Sequence, residues 1–230
     1  MKLLIAFIFF IFLNPLFAQE YSNSENETHI FWNPKRQLTK NDFKGDESSF
    51  GNAKKYCEEL NFCTCGSFGI FSVLDIPKKR KNRGKLYEKA YFVPAFEKNT
   101  SWNLKNDSVG IKQQQLVYDI FELSTRYSRQ KLKQIQDTIK GYGSLSIWYY
   151  TVKTHEDERR ANVINQFTNE VIIKKEVGAF EKWKLRIESL LNELQEFATT
   201  EEDYLRFISG KPIDERYEIA KTITGNLFDK

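Results

Sequence analysis

Histidine, methionine and cysteine are scarce in this sequence of 230 residues, which contains two, one and three of them respectively. The two histidines, His29 and His155, are too few for a zinc site that needs three histidine ligands. The sequence also has no large excess of one charge. It contains 35 Lys and Arg and 31 Asp and Glu, which gives a net charge of only +4. This balance argues against a protein whose main task is to hold nucleic acid.

A long apolar run is missing too, and the one at the N-terminus is short. Lys2 precedes 11 uncharged apolar residues, 3–13, whereas a membrane-spanning helix needs about 20. Asn14 and Pro15 break the run, and Ala18 supplies the small residue of a cleavage site. We expect residues 1–18 to be a signal peptide cleaved after Ala18, and the mature chain to be secreted or periplasmic with no transmembrane segment. An uncleaved anchor is the alternative.

The three cysteines lie close together at Cys57, Cys63 and Cys65. Export implies an oxidising compartment, so one disulfide and one leftover thiol are expected. Cys57 could pair with Cys63 or Cys65, and a bridge between Cys63 and Cys65 would be a strained ring. A metal site that also uses His155 is the alternative, but paired C-x-x-C spacing is absent. We therefore expect no metal and no cofactor.

The hydrophobic pattern predicts an α+β domain, with 40% hydrophobic and 15% aromatic residues to form its core. Short strands are predicted near residues 30–32, 68–76 and 87–96, with a loop over 44–56. Helices are predicted over 109–139, 156–174 and 179–198, whereas 145–152 fits either a strand or a buried continuation of a helix.

These elements divide the mature chain into three parts. Residues 19–28 are polar and predict a flexible lead-in. Residues 29–198 form the predicted domain, a small antiparallel sheet packed on long amphipathic helices. Residues 199–230 predict a helical C-terminal extension, with a cap at Thr200 and a last helix over 213–227.

The loop between the second and third predicted strands is strongly basic. A charged hairpin tip is usually only solvated, and that interpretation is favoured. The alternative is attraction to an anionic surface such as lipopolysaccharide or an acidic glycan. No aromatic residue interleaves the basic ones, which weakens a nucleic-acid interpretation. The basic residues are Lys78, Lys79, Arg80, Lys81, Arg83 and Lys85.

Two segments and a later tryptophan carry a family pattern. The first segment contains Trp32, Arg36, Leu38, Thr39, Asp42, Phe43, Lys44 and Gly45. The second contains Ser101 and Trp102, followed by a helix with Asp119, Ile120, Glu122, Leu123 and Arg126 or Arg129. A last helix carries Trp183, Ile187 and Leu191. Their order resembles a bacterial family of exported domains of unknown function that are regarded as zinc-dependent proteases. One position departs from it, because Lys40 stands where the family usually has a second tryptophan.

The resemblance implies an H-E-x-x-H motif just before Asp119. Two histidines one helical turn apart would hold zinc, and the glutamate would act as general base. In this sequence Gln113 and Val117 stand at the histidine positions and Gln114 at the glutamate position. An amide cannot serve as a general base, and valine offers no lone pair.

The sequence therefore predicts a degenerate member that has lost its zinc site. His155 does not restore the site, since the residue four positions later is the cation Arg159. We expect a non-catalytic protein that binds an unknown protein or glycan or has a structural role. A hydrolase with an unrecognised active site is the alternative. Trp32, Arg36, Asp42, Phe43, Trp102, Asp119, Glu122 and Trp183 are expected to be scaffold.

Overall fold

The computed structural model describes residues 24–45 and 52–221, so the predicted signal peptide lies outside the described residues. Four antiparallel strands form one sheet in the order β1-β3-β2-β4. The strands are β1 (His29–Phe31), β2 (Thr64–Pro77), β3 (Lys89–Asn103) and β4 (Tyr217–Ile219). The helices are α1 (Ala53–Leu60), α2 (Ser108–Ile139), α3 (Ser144–Phe167), α4 (Ala179–Glu193) and α5 (Glu201–Ile208). The α+β class is confirmed.

The centre of the sheet is a long hairpin of β2 and β3. Phe68 lies opposite Phe96 and Asp75 opposite Lys89, with a bulge between Cys65 and Ser67. Strand β2 covers its predicted segment and extends beyond it, whereas β3 begins two residues later than predicted and ends seven residues later. The extra length comes from the residues before Phe68 and after Phe96, which lie over the start of α2.

Helix α2 packs on the sheet and contributes side chains to three buried apolar clusters. Leu116, Ile120 and Leu123 project from one face, as the predicted helical spacing requires, and pack against Phe167 and the α4 face. Further along, Leu132 packs against sheet residues and α3 in a second apolar cluster. Each large apolar side chain buried in this way contributes about 1.5–3 kcal/mol of transfer free energy.

One local prediction needs correction, and one open alternative is resolved. Residues 53–56 were expected to be loop but begin α1, whose Cys57 is buried and disulfide-bonded to Cys63. The ambiguous residues 145–152 belong to α3, because Leu145, Tyr149 and Val152 follow helical spacing and pack on Leu132. The π-helical turn Thr168–Ile173 then separates α3 from α4.

The two ends of the described chain also differ from expectation. Residues 24–28 were expected to be flexible, yet the Phe31 N–H donates to Ser24 and Glu25 forms an ion pair with the buried Lys98. At the other end Thr200 caps α5 as predicted. The expected last helix is wrong over its described part, because residues 217–219 form β4 on the edge of β2. Residues 222–230 lie outside the described part.

One buried ion pair joins the C-terminal segment to the sheet. Arg206 on α5 donates two hydrogen bonds to Asp75 on β2, both at 2.7 Å. Both residues are almost fully buried, with exposed fractions of 2% and 1%. Residues 201–219 are therefore part of the folded domain and not an appendage. Within the described residues, no helix is long and apolar enough to cross a membrane.

Replacing Arg206 by methionine should leave the Asp75 carboxylate buried without its cation. We expect the free energy of unfolding in urea to fall by about 3–5 kcal/mol, the usual cost of breaking a buried pair from one side. Lys133→Met is the control, because its pair with Asp137 is exposed and contributes little. Equal unfolding midpoints for the two variants would contradict this role of Arg206.

Candidate functional site

The two motif segments meet at a tryptophan and a carboxylate. The Trp32 indole Nε1–H donates to Asp119 Oδ1 on α2 at 2.9 Å. The Arg126 guanidinium lies 5.3 Å from the centre of the Trp32 ring, within the range of a cation–π contact. Residues far apart in the sequence are thus joined in one buried polar cluster on α2.

Gln115 makes a second link between the same segments. Its Nε2 donates to Asp119 Oδ1 at 3.1 Å, and its Oε1 accepts the Leu38 backbone N–H at 2.9 Å. The sequence pattern did not indicate Gln115 as a site residue. The only feature of the sequence that points to Gln115 is its position, one turn before Asp119 on the same helix face.

The first segment is fixed by its own ion pair. Arg36 donates to both oxygens of Asp42, at 2.6 and 3.1 Å, and Asp42 also accepts from the Thr39 backbone N–H. Burial raises the pKa of Asp42, but the hydrogen bonds from Arg36 and Thr39 outweigh it and the pKa is lowered. Phe43 then packs edge-on against Phe96 of β3. These residues have a structural role in holding the segment against the sheet.

Glu122 forms the second polar centre of α2. It is fully buried and accepts hydrogen bonds from Arg126 at 2.8 Å and from the backbone and side chain of Thr199 at 2.9 and 2.6 Å. Arg126 also donates to the Leu191 carbonyl oxygen at the end of α4. The Asp-x-x-Glu pattern therefore joins α2 to two different neighbours, Trp32 through Asp119 and the α4–α5 connection through Glu122.

The remaining scaffold tryptophans are buried in separate places. Trp183 on α4 packs edge-on against Phe167 and donates to Glu170 at 2.7 Å. Trp102 on β3 packs edge-on against Phe62, beside the disulfide. The partners named here, Phe167, Glu170 and Phe62, are not residues of the Asp119 cluster.

Two of the three positions of the degenerate motif are used for packing, Gln114 and Val117. Gln114 is 4% exposed, and its Oε1 accepts the Gly66 backbone N–H of β2 at 2.9 Å. Val117 lies in the apolar core, whereas Gln113 is half-buried at the surface. Helix and strand approach so closely here that a Cβ on Gly110 would lie 2.6 Å or less from Thr64. These side chains do not fit a zinc ion.

Asp119 lies in a polar cleft between α2 and α4. The cleft has a volume of about 440 Å³ and is lined by residues that include Gln115, Asp119, Lys184 and Glu188. Burial raises the pKa of Asp119 to about 6, although the hydrogen bonds from Trp32 and Gln115 act in the opposite direction. A carboxyl group with that pKa exchanges its proton near neutral pH.

The cysteines and the histidines do not form a common cluster. Cys57 is bonded to Cys63, which resolves the alternatives left open by the sequence, and Cys65 is a free, partly buried thiol. Burial raises the pKa of Cys65 and so disfavours its thiolate. His29 packs against Phe71, and the exposed His155 lies beside Glu156. Among the described residues, no group of three His, Cys, Asp or Glu is placed to hold a metal ion.

Compared with models of known families, with curated proteins and with solved structures, the chain gives no significant match.

Truncating Gln114 to alanine should leave the Gly66 N–H without its acceptor. An unsatisfied backbone donor costs about 1–3 kcal/mol, so we expect the urea midpoint to shift down accordingly. The neighbouring change Gln113→Ala is the matched control, and it should alter the free energy of unfolding by less than about 0.5 kcal/mol. If both variants were equally stable, Gln114 would not be a packing residue.

Replacing Asp119 by asparagine should change how stability depends on pH. The raised pKa means that the folded chain holds this proton more tightly than the unfolded chain, where the pKa is near 3.8. The resulting stabilisation is complete below pH 4 and is lost as pH rises through 6. We expect the stability of the variant relative to wild type to rise by about 1–3 kcal/mol between pH 4 and 7.5. Parallel pH profiles would contradict the raised pKa.

Proposed function

We propose that the chain is an exported, non-catalytic relative of the zinc-dependent protease family that it resembles, and that it binds a protein or glycan or has a structural role. The proposal combines the N-terminal signal pattern with the replacement of the motif residues. The disulfide between Cys57 and Cys63 is compatible with an oxidising compartment outside the cytoplasm.

The environment of Gln114 supports the proposal best. In a metalloprotease of this kind the motif glutamate must face a zinc-bound water, and the neighbouring histidines must present free nitrogen atoms. Here the side chain at the glutamate position is buried and accepts a hydrogen bond from β2. The side chain at the second histidine position, Val117, is part of the apolar core. This face of α2 now stabilises the fold.

A hydrolase with a different active site is the second candidate, and the Asp119 cleft is the observation that favours it. A carboxyl group with a pKa of about 6 in a cleft suits a general acid near neutral pH. Lys184 and Glu188 from α4 line the same cleft and would face a ligand bound there. Against this candidate, both hydrogen bonds to Asp119 are also explained by its role in holding Trp32 and Gln115.

The metal content of the purified mature protein, residues 19–230, tests the first candidate. After gel filtration in the presence of added zinc, elemental analysis should give far less than one zinc ion per chain, because the motif positions offer no ligand set. One tightly held zinc ion per chain would overturn the proposal. The Cys65→Ser variant would then show whether the free thiol is among the ligands.

Hydrolysis assays separate the two candidates. Wild type and Asp119→Asn would be compared on unstructured protein, ester and glycoside substrates, each with its fold confirmed by circular dichroism. The proposal expects no turnover from either protein. Turnover by wild type that is lost in Asp119→Asn would establish the second candidate, because an amide cannot donate the proton.

A further inference from the structure

The connection between β2 and β3 concentrates positive charge at one end of the molecule. All six of its cations are exposed, and we refer to them as the basic tip: Lys78, Lys79, Arg80, Lys81, Arg83 and Lys85. No Asp or Glu occurs between residues 78 and 87. The whole chain has 35 cationic and 31 acidic residues, so without the six the balance is 29 against 31, or −2. The net positive charge of the protein therefore resides in this tip.

Neighbouring carboxylates neutralise little of this charge. Arg83 forms an ion pair with Glu218 of β4 at 3.4 Å. Within the described part of the chain, the other five cations of the tip form no ion pair. Glu88, the first acidic residue after the tip, is buried and accepts a hydrogen bond from the Ser146 backbone at 2.7 Å. Most of the charge is thus available to an external anion.

The tip is also an ordered structure. The Asn82 N–H donates to the Lys79 carbonyl oxygen at 2.8 Å, and the Leu86 N–H donates to Asn82 at 2.9 Å. The Arg83 side chain donates to the Pro77 carbonyl oxygen at 3.2 Å, which ties the turn to the end of β2. The backbone that carries these charges is therefore held in one turn, and little backbone conformational entropy is lost when they bind a surface.

An exposed aromatic pair lies beside the basic tip. Tyr87 follows the tip, and its ring centre is 4.7 Å from that of Tyr142 in the turn between α2 and α3. Both rings are more than a third exposed, and Ile139 at the end of α2 is half-exposed nearby in the chain. Tyrosine is enriched where a protein meets the headgroup region of a membrane, because its ring is apolar and its hydroxyl is polar.

We propose that the basic tip, with Tyr87 and Tyr142, docks the protein on the surface of a membrane that contains anionic phospholipid. Clusters of four to eight Lys and Arg are typical of such contacts, and each cation contributes through the surface potential rather than through a specific pocket. An exposed turn rich in lysine suits an array of phosphates, whereas bidentate recognition of a single phosphate would favour arginine. The inference is independent of whether the chain is catalytic.

Binding to lipid vesicles tests this proposal directly. The protein beginning at Gln19 would be sedimented with vesicles of phosphatidylcholine alone and with vesicles in which about one third of the lipid is phosphatidylglycerol. We expect binding only to the anionic vesicles, and a loss of at least about tenfold in affinity between 0.1 and 0.5 M NaCl because salt screens exposed charges. Equal binding to both kinds of vesicle, or to neither, would overturn the proposal.

Two variants of equal net charge locate the contact. The tip variant changes Lys79, Lys81, Lys85 and Lys78 to glutamine. The control variant changes four exposed lysines near the start of α2 and the start of α4, namely Lys105, Lys112, Lys175 and Lys182, for which no ion pair is found among the described residues. At about fivefold per cation near the surface, removing four cations should cost the tip variant nearly three orders of magnitude in affinity, while the control stays within about threefold. Similar losses in both variants would show that net charge alone is responsible, and would overturn the assignment.

Two further measurements complete the test. Changing Tyr87 and Tyr142 to serine should weaken vesicle binding several-fold in a way that added salt does not alter, because the ring contribution is apolar; an unchanged affinity would remove the pair from the contact.

Duplex DNA is the competing polyanion. Tighter binding of DNA than of anionic vesicles at the same salt concentration would replace the proposed partner by a nucleic acid.

Discussion

The structure depends on hydrogen bonds and ion pairs that buried polar groups of α2 make with distant parts of the chain. Gln114, Asp119 and Glu122 lie on successive turns, and each accepts from a different neighbour: Gly66 of β2, Trp32, and Thr199. Such groups are costly to bury alone and stabilising only when their partners are in place. The helix therefore specifies which segments pack around it, while the apolar core supplies most of the energy.

The elements with strong periodicity could be predicted from the sequence. Helix α2 and the β2–β3 hairpin follow the spacing of their apolar residues, and Thr200 caps α5 through a local pattern. Helix α3 could not be assigned from its first residues, because aromatic and β-branched side chains suit a buried helix and a strand equally. Strand β4 was missed because three residues carry no periodicity, and its formation depends on the edge of β2.

The candidate site was predictable only in part, for a similar reason. The motif positions drew attention to Asp119 on α2. They did not predict that Asp119 accepts hydrogen bonds from Trp32 and Gln115. Those contacts are set by the tertiary fold. One signal was present without being used: Asp75 is a lone carboxylate within an apolar strand, and such a residue requires a buried cation elsewhere in the chain. Nothing local in the sequence identifies Arg206 as that cation.

The pairing of Asp75 with Arg206 has a consequence for how the chain is made. The two residues are 131 positions apart, since Asp75 lies in the central hairpin and Arg206 lies in α5. During synthesis the hairpin emerges long before Arg206, so the Asp75 carboxylate has no cationic partner until nearly all of the described chain is available. Burial of this carboxylate is therefore among the late steps of folding, because an unpaired charge is costly to bury.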